Sequence, residues 1–91
     1  MNAVIIDGKD NVAVVIEPVT AGDAVQYKAS GEVRTLTALE DIMIYHKLAV
    51  TDIPKGAPIV KYGEHIGLAS RDIPAGAHVH VHNVESHREA L

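Results

Sequence analysis

The chain has 91 residues and a formal net charge of −4, with its 8 basic residues spread along the sequence. That distribution offers no basic patch for DNA or RNA, and without Phe or Trp there is no stacking platform for single strands. The absence of cysteine excludes disulfides, thiolate metal sites and cysteine nucleophiles, and no run approaches the 18 apolar residues of a membrane span.

Residues 3–6 and 11–17 are short apolar runs on either side of Asp7-Gly8-Lys9-Asp10, which reads as a hairpin turn. A second hairpin is expected around Ala29-Ser30-Gly31-Glu32, joining residues 24–28 to 33–38. Residues 39–46 are the single helical candidate: Leu39, Ile42 and Met43 have helical spacing, Thr37 can cap, and Glu40 follows three residues later. An isolated turn or an extended linker is the competing reading for so short a segment.

The second half carries an internal repeat. Residues 48–63 align with residues 68–83 at an offset of 20, with 7 of 16 positions identical and Asp-Ile-Pro-x-Gly-Ala in both. A weaker echo lies at Pro18-Val19-Thr20-Ala21-Gly22-Asp23-Ala24-Val25. Proline presets a turn, glycine supplies a positive φ and β-branched residues resume afterwards, so each copy reads as a corner of one small barrel-like β fold. Residues 1–91 are expected to form a single domain, too small to enclose a deep cleft alone and suited to be part of a larger assembly. The N-terminus lacks the basic segment of a signal peptide, so a cytoplasmic location with no membrane contact is expected. An uncovered sheet edge would favour a homo-oligomer.

Residues 78–83 read His-Val-His-Val-His-Asn. On a strand, His78, His80 and His82 would share one face while Val79 and Val81 pack behind. A rise of ~3.3 Å per residue puts alternate Cα atoms roughly 7 Å apart and those of His78 and His82 roughly 13 Å apart, so a regular strand offers two ligands to one metal and not three. A further ligand would come from His46, His65, Asp52, Glu64 or a partner. The same histidines also fit a solvated strand face or hydrogen bonds to backbone carbonyls. His46-Lys47 and Lys61-Tyr62 each place a cation beside a proton-transfer group, a pairing suited to anionic, hydroxylated substrates, and equally read as solvated edge charges.

Three motifs in order, Tyr45-His46-Lys47-Leu48-Ala49, Lys61-Tyr62-Gly63 with Ile66-Gly67, and Asp72-Ile73-Pro74-Ala75-Gly76 with His78-Val79-His80-Val81-His82-Asn83, resemble the small domain of the altronate and galactarate dehydratase family. That resemblance implies an all-β, SAF-type β-clip fold with at most one short helix. It also implies a hydro-lyase that eliminates water from a sugar acid with a divalent metal, iron(II) or manganese. The large catalytic subunit would be a separate partner, without which this chain is inactive. Alternatives within the resemblance are the small subunit of a (2R)-sulfolactate sulfo-lyase and a non-catalytic sugar-acid-binding module. Carried over by motif, His46, Lys47, His80 and His82 are catalytic, His80 and His82 hold the metal, and Lys61, Tyr62 and Asn83 bind substrate. One departure is Tyr45, where many relatives have Gly, and it bears on the local turn.

Overall fold

The computed structural model describes residues 1–85, and among them every regular element is a strand. Strands β1 (Ala3–Val4) and β2 (Val12–Val15) pair antiparallel, and Asp7 to Asp10 turn between them as the sequence predicts. Strands β3 (Ala24–Ala29) and β4 (Glu32–Thr37) form the second hairpin. Ser30 and Gly31 both have positive φ there, 50° and 81°, the pattern of a two-residue turn whose twist matches its strands. The remaining strands are β5 (Lys47–Ala49), β6 (Pro58–Lys61), β7 (Glu64–Ala69), β8 (His78–Val79) and β9 (Val84–Glu85). They complete two further sheets, ordered β1-β2-β5-β8 and β6-β7-β9.

The sheet containing β2 and β5 lies between two apolar clusters. Successive side chains on a strand face opposite ways, so Ala13, Val15 and Leu48 join Val19, Val25 and Ile42 in one cluster. Val12 and Ala49 face the other way and join Ile53, Ile59, Ile73 and Val79. With no Phe or Trp to use, the cores are closed by β-branched residues meeting alanines, and the largest fully buried side chains are isoleucine and leucine.

The repeat is realised as paired corners. In both copies the Ile of Asp-Ile-Pro is buried, and Ile53 and Ile73 exchange backbone hydrogen bonds of 2.7 and 2.8 Å. Asp52 Oδ1 accepts the Ala75 amide at 2.9 Å and Asp72 Oδ1 accepts the Lys55 amide at 2.8 Å, so each corner holds the other's turn reciprocally. The weaker echo at residues 18–25 has a partner that sequence similarity does not reveal. Val19 bridges Ile42, and Asp41 Oδ1 accepts the Ala21 amide at 2.9 Å.

Residues 39–46 are therefore not a helix. The Ile42 amide donates to Val19 at 2.8 Å and the Leu39 amide to Gly76 at 2.9 Å, so these groups are bonded across the fold and not up a helix. Ile42 alone of the apolar set is buried; Leu39, Met43 and Ile44 are exposed. Their helix-like spacing coincides with a corner, and eight residues cannot outweigh those long-range bonds.

Asp10 and Asn11 fasten the β6–β7 hairpin to β2. Asp10 Oδ1 accepts the Gly63 amide at 2.7 Å, while Asn11 Nδ2 donates to the Pro58 carbonyl at 2.9 Å and Asn11 Oδ1 accepts the Val60 amide at 2.7 Å. Burial opposes ionisation of Asp10, but amides of Gly63, Asp7, Tyr62 and Ile6 together outweigh it and hold its pKa below the usual carboxylate value.

Candidate functional site

Two corners deliver the functional residues to one edge of the four-stranded sheet. The corner at residues 41–47 runs into β5 and places His46 and Lys47; the corner at residues 72–78 runs into β8 and places His78. The strands are antiparallel, with Leu48 opposite His78 and Lys47 opposite Val79. In the first corner Tyr45 occupies the position that Gly56 and Gly76 hold in the repeat copies. It takes a φ of 69° against their 86° and 93°, so the departure keeps the turn and does not reshape it. The His46 amide closes that turn onto Met43 at 3.0 Å, as Ala77 does onto Pro74 at 3.1 Å.

The histidine stripe is shorter than alternation predicts. Only His78 and Val79 are in a strand, and the chain then turns back at residues 80–83, leaving Val81 80% exposed where it was expected to pack behind the strand. Asn83 causes the turn. Its side chain is buried, with Oδ1 accepting the His80 amide at 3.0 Å and Nδ2 donating to the His78 carbonyl at 2.8 Å. The consequence reverses the distance expectation: the ring centroids of His78 and His82 are 5.2 Å apart, so these two side chains do share a locality.

His46 completes the cluster from the corner that precedes the neighbouring strand β5. Its ring stacks on that of His80 at 4.4 Å, and its Nδ1 lies 2.9 Å from His78 Nε2, a hydrogen bond in which one ring must donate and the other accept. Ligand atoms of His46, His78 and His80 lie within 4.8 Å of one another, as do those of Glu40, His78 and His82. A divalent ion bound at ~2.1 Å needs cis nitrogen donors about 3 Å apart, so the donor types suit such an ion and the His46–His78 pair already has that spacing. His80 and His82, expected to share a metal, fall in different groups joined through His78. Among the other ligands considered, Asp52 is committed to the corner, while Glu64 and His65 lie on β7, and none belongs to either group.

Glu40 is the residue that sequence reasoning missed. It looked like a helix-capping partner for Thr37, but its Oε2 accepts the His78 amide at 3.0 Å. The segment carrying it is seated on the second corner, where a side chain at Gly76 would overlap the Thr37 carbonyl and press on Leu39.

The electrostatics favour neutral imidazoles. Burial, then the neighbouring His46 and His82, lower the pKa of His78, with Glu40 opposing; burial, then His46 and Lys47, lower that of His80. Lys47 is half-buried, and burial followed by repulsion from Lys61 lowers its pKa as well. Lys61 reaches over the Tyr62 ring at 4.6 Å. Lys47, Ile66, His80, Val81, Val84 and Glu85 line a shallow open depression beside the histidines. The arrangement combines two cations, neutral imidazoles able to accept protons, and metal-type donors. Asn83 differs from the other motif residues, because both polar atoms of its side chain are engaged by the backbone.

Comparison with known proteins supplies context for this geometry. The family model described as the altronate/galactarate dehydratase SAF domain matches residues 1–87. The whole chain is 42% identical to part of an altronate dehydratase of Escherichia coli, covering 18% of that protein's length. It is 39% identical over 88 residues to the (2R)-sulfolactate sulfo-lyase subunit alpha of Chromohalobacter salexigens, covering 94% of that subunit. An altronate dehydratase of Bacillus subtilis is 39% identical over 82 residues, 16% of its length.

Proposed function

The chain belongs to the altronate/galactarate dehydratase SAF-domain family, and from that premise we propose that it is the small subunit of a sugar-acid hydro-lyase. In this reading it is a single cytoplasmic domain that supplies His and Lys side chains to an active site shared with a large catalytic chain. The observation that carries it is the convergence of His46, Lys47, Lys61, His78 and His80, drawn from three separate segments, on one open surface. The depression beside them is open among the described residues, and the relatives named as altronate dehydratases are several times longer than this chain.

Dehydration of a hydroxy acid removes the proton α to the carboxylate. The electron pair left behind forms a double bond to the β-carbon, whose hydroxyl departs with a proton as water, and the enol becomes the keto acid. Lys47 and Lys61 neutralise the carboxylate, which makes the α-proton more acidic. An imidazole of His46 or His80 accepts that proton, and a second returns one to the leaving hydroxyl. Tyr62 donates a hydrogen bond to a substrate hydroxyl, and Asn83 holds the turn that presents His80 and His82. Iron(II) or manganese held by ligands of this cluster would supply Lewis-acid stabilisation of negative charge. A second reading, the alpha-type subunit of a sulfolactate sulfo-lyase that expels sulfite in place of hydroxide, is favoured by the alignment over 94% of that subunit's length.

The test is reconstitution. The purified chain should be inactive alone, and the pair formed with the large chain encoded beside it should dehydrate an aldonate or aldarate, or desulfonate sulfolactate. A reconstituted pair inactive on all of these overturns the enzymatic reading. If the isolated chain then binds sugar acids and loses no binding on joint His80→Ala and His82→Ala substitution, a binding module is indicated instead.

A further inference from the structure

The two potential ligand groups compete for His78, because a single ion cannot be centred in both. We propose that the divalent cation sits in the group formed by Glu40, His78 and His82, with His46 outside the coordination shell as the group that orients His78. The inference rests on the reading that this chain takes a divalent cation, and adds Glu40, which no motif marks, as the carboxylate ligand.

The first argument is the 2.9 Å bond between His46 Nδ1 and His78 Nε2. An ion held by His46, His78 and His80 through those atoms would need both lone pairs, so the bond and its proton would have to go. An ion on the other side leaves the bond intact: His78 donates Nε2–H to His46 and presents Nδ1, its remaining nitrogen. A metal-bound histidine that donates its second ring N–H to an outer partner is the usual arrangement, since it fixes tautomer and ring orientation. Glu40 is placed for this, because its Oε2 lies 3.0 Å from the His78 amide nitrogen, at the backbone end of the side chain, where Nδ1 also lies.

The second argument is charge. Lys47 and His80 line the same depression, so the ammonium would repel a dication bound at His80. The charged group that touches His78 is the Glu40 carboxylate, which accepts the His78 amide. One carboxylate against the ion, and an ammonium lining the depression beside His80, gives the cation and the substrate anion separate places. Two imidazoles and a carboxylate also suit iron(II) and manganese better than three imidazoles do. The third argument is access: Glu40 and His82 are exposed, so three protein ligands leave positions open to solvent.

Cobalt(II) serves as the probe, titrated into the full chain alone and with its large partner. Calorimetry gives affinity and visible absorption reports coordination. Glu40→Gln, an exposed near-isosteric change, and His82→Ala should each weaken cobalt binding at least tenfold, whereas His80→Ala should change it less than threefold. Paramagnetic broadening in NMR should reach the His78 and His82 ring protons more strongly than those of His80. Loss of binding in His80→Ala with wild-type affinity in Glu40→Gln would overturn the assignment in favour of the three-histidine group. Failure of the wild-type chain to bind cobalt in either state would overturn the underlying metal reading together with this one.

Discussion

The two copies of Asp-Ile-Pro-x-Gly-Ala make the same corner and then diverge. After Ala57 the chain continues as β6, turns through Tyr62 and Gly63, and returns as β7 in a hairpin whose register shifts between Ile59 and Val60. After Ala77 it makes a two-residue strand and folds into the Asn83-closed turn that gathers histidines. Proline, glycine and the reciprocal aspartates build the scaffold in both, so the scaffold does not explain the site. The chemistry lies in what each corner launches, and Val60 in one copy corresponds to His80 in the other.

The sharpest probe of that division is His80→Ala. Removing a proton-transfer group should lower kcat/KM of the reconstituted pair by about 10²-fold or more while leaving the melting temperature of the chain nearly unchanged. A parallel loss of stability would mean that the histidines belong to the scaffold. Next in size is a test of whether the corners are equivalent as scaffolds. At Gly56 an added Cβ meets nothing within 4 Å, whereas at Gly76 it meets the Thr37 carbonyl. Both substitutions to Ala incur the left-handed penalty of about 1–2 kcal/mol, but Gly76→Ala should lose about 1–3 kcal/mol more in denaturant unfolding. Equal losses would break the contrast.

Smaller effects sharpen it. Asp10→Ala removes a carboxylate bonded to backbone amides and should destabilise by about 1.5–3 kcal/mol at neutral pH. Because the folded pKa of Asp10 lies below its unfolded value, this contribution is present above about pH 4 and fades as acid carries the protein through the lowered folded value. Tyr45→Gly should leave stability unchanged or raise it by up to about 1 kcal/mol, since glycine pays no steric penalty at a φ of 69°. The smallest effect is in mild acid. His78 and His80 have folded pKa values below the unfolded value near 6.5, so the unfolded chain binds protons first and stability should fall slightly as pH drops below ~6.5. Double substitution of both histidines by Gln should flatten that slope.

The β1–β2 and β3–β4 hairpins could be read from local turn chemistry, and the corners from the repeated Pro and Gly. The corner at residues 41–47 could not, because Met43, Ile44 and Tyr45 stand where its counterparts have Pro and Gly, and what remains imitates a helical stripe. Alternation of His and Val correctly indicated a strand beginning at His78 but gave no stop signal other than Asn83, whose tendency to bond nearby backbone is the cue that was available. Glu40 was beyond reach. It meets His78 through a contact between segments 38 residues apart, which residue spacing does not encode.

The seating of the Leu39 amide on the Gly76 carbonyl at 2.9 Å has a dynamic consequence. Glu40 follows directly from that contact and His78 lies two residues beyond Gly76, so both are carried on one short mechanical linkage and not on opposite walls of a cleft. Breathing of the small sheets would displace them together, and their separation would survive motions that open the depression beside Lys47. A site built this way can keep one distance constant while its other boundary is left for a partner to shape.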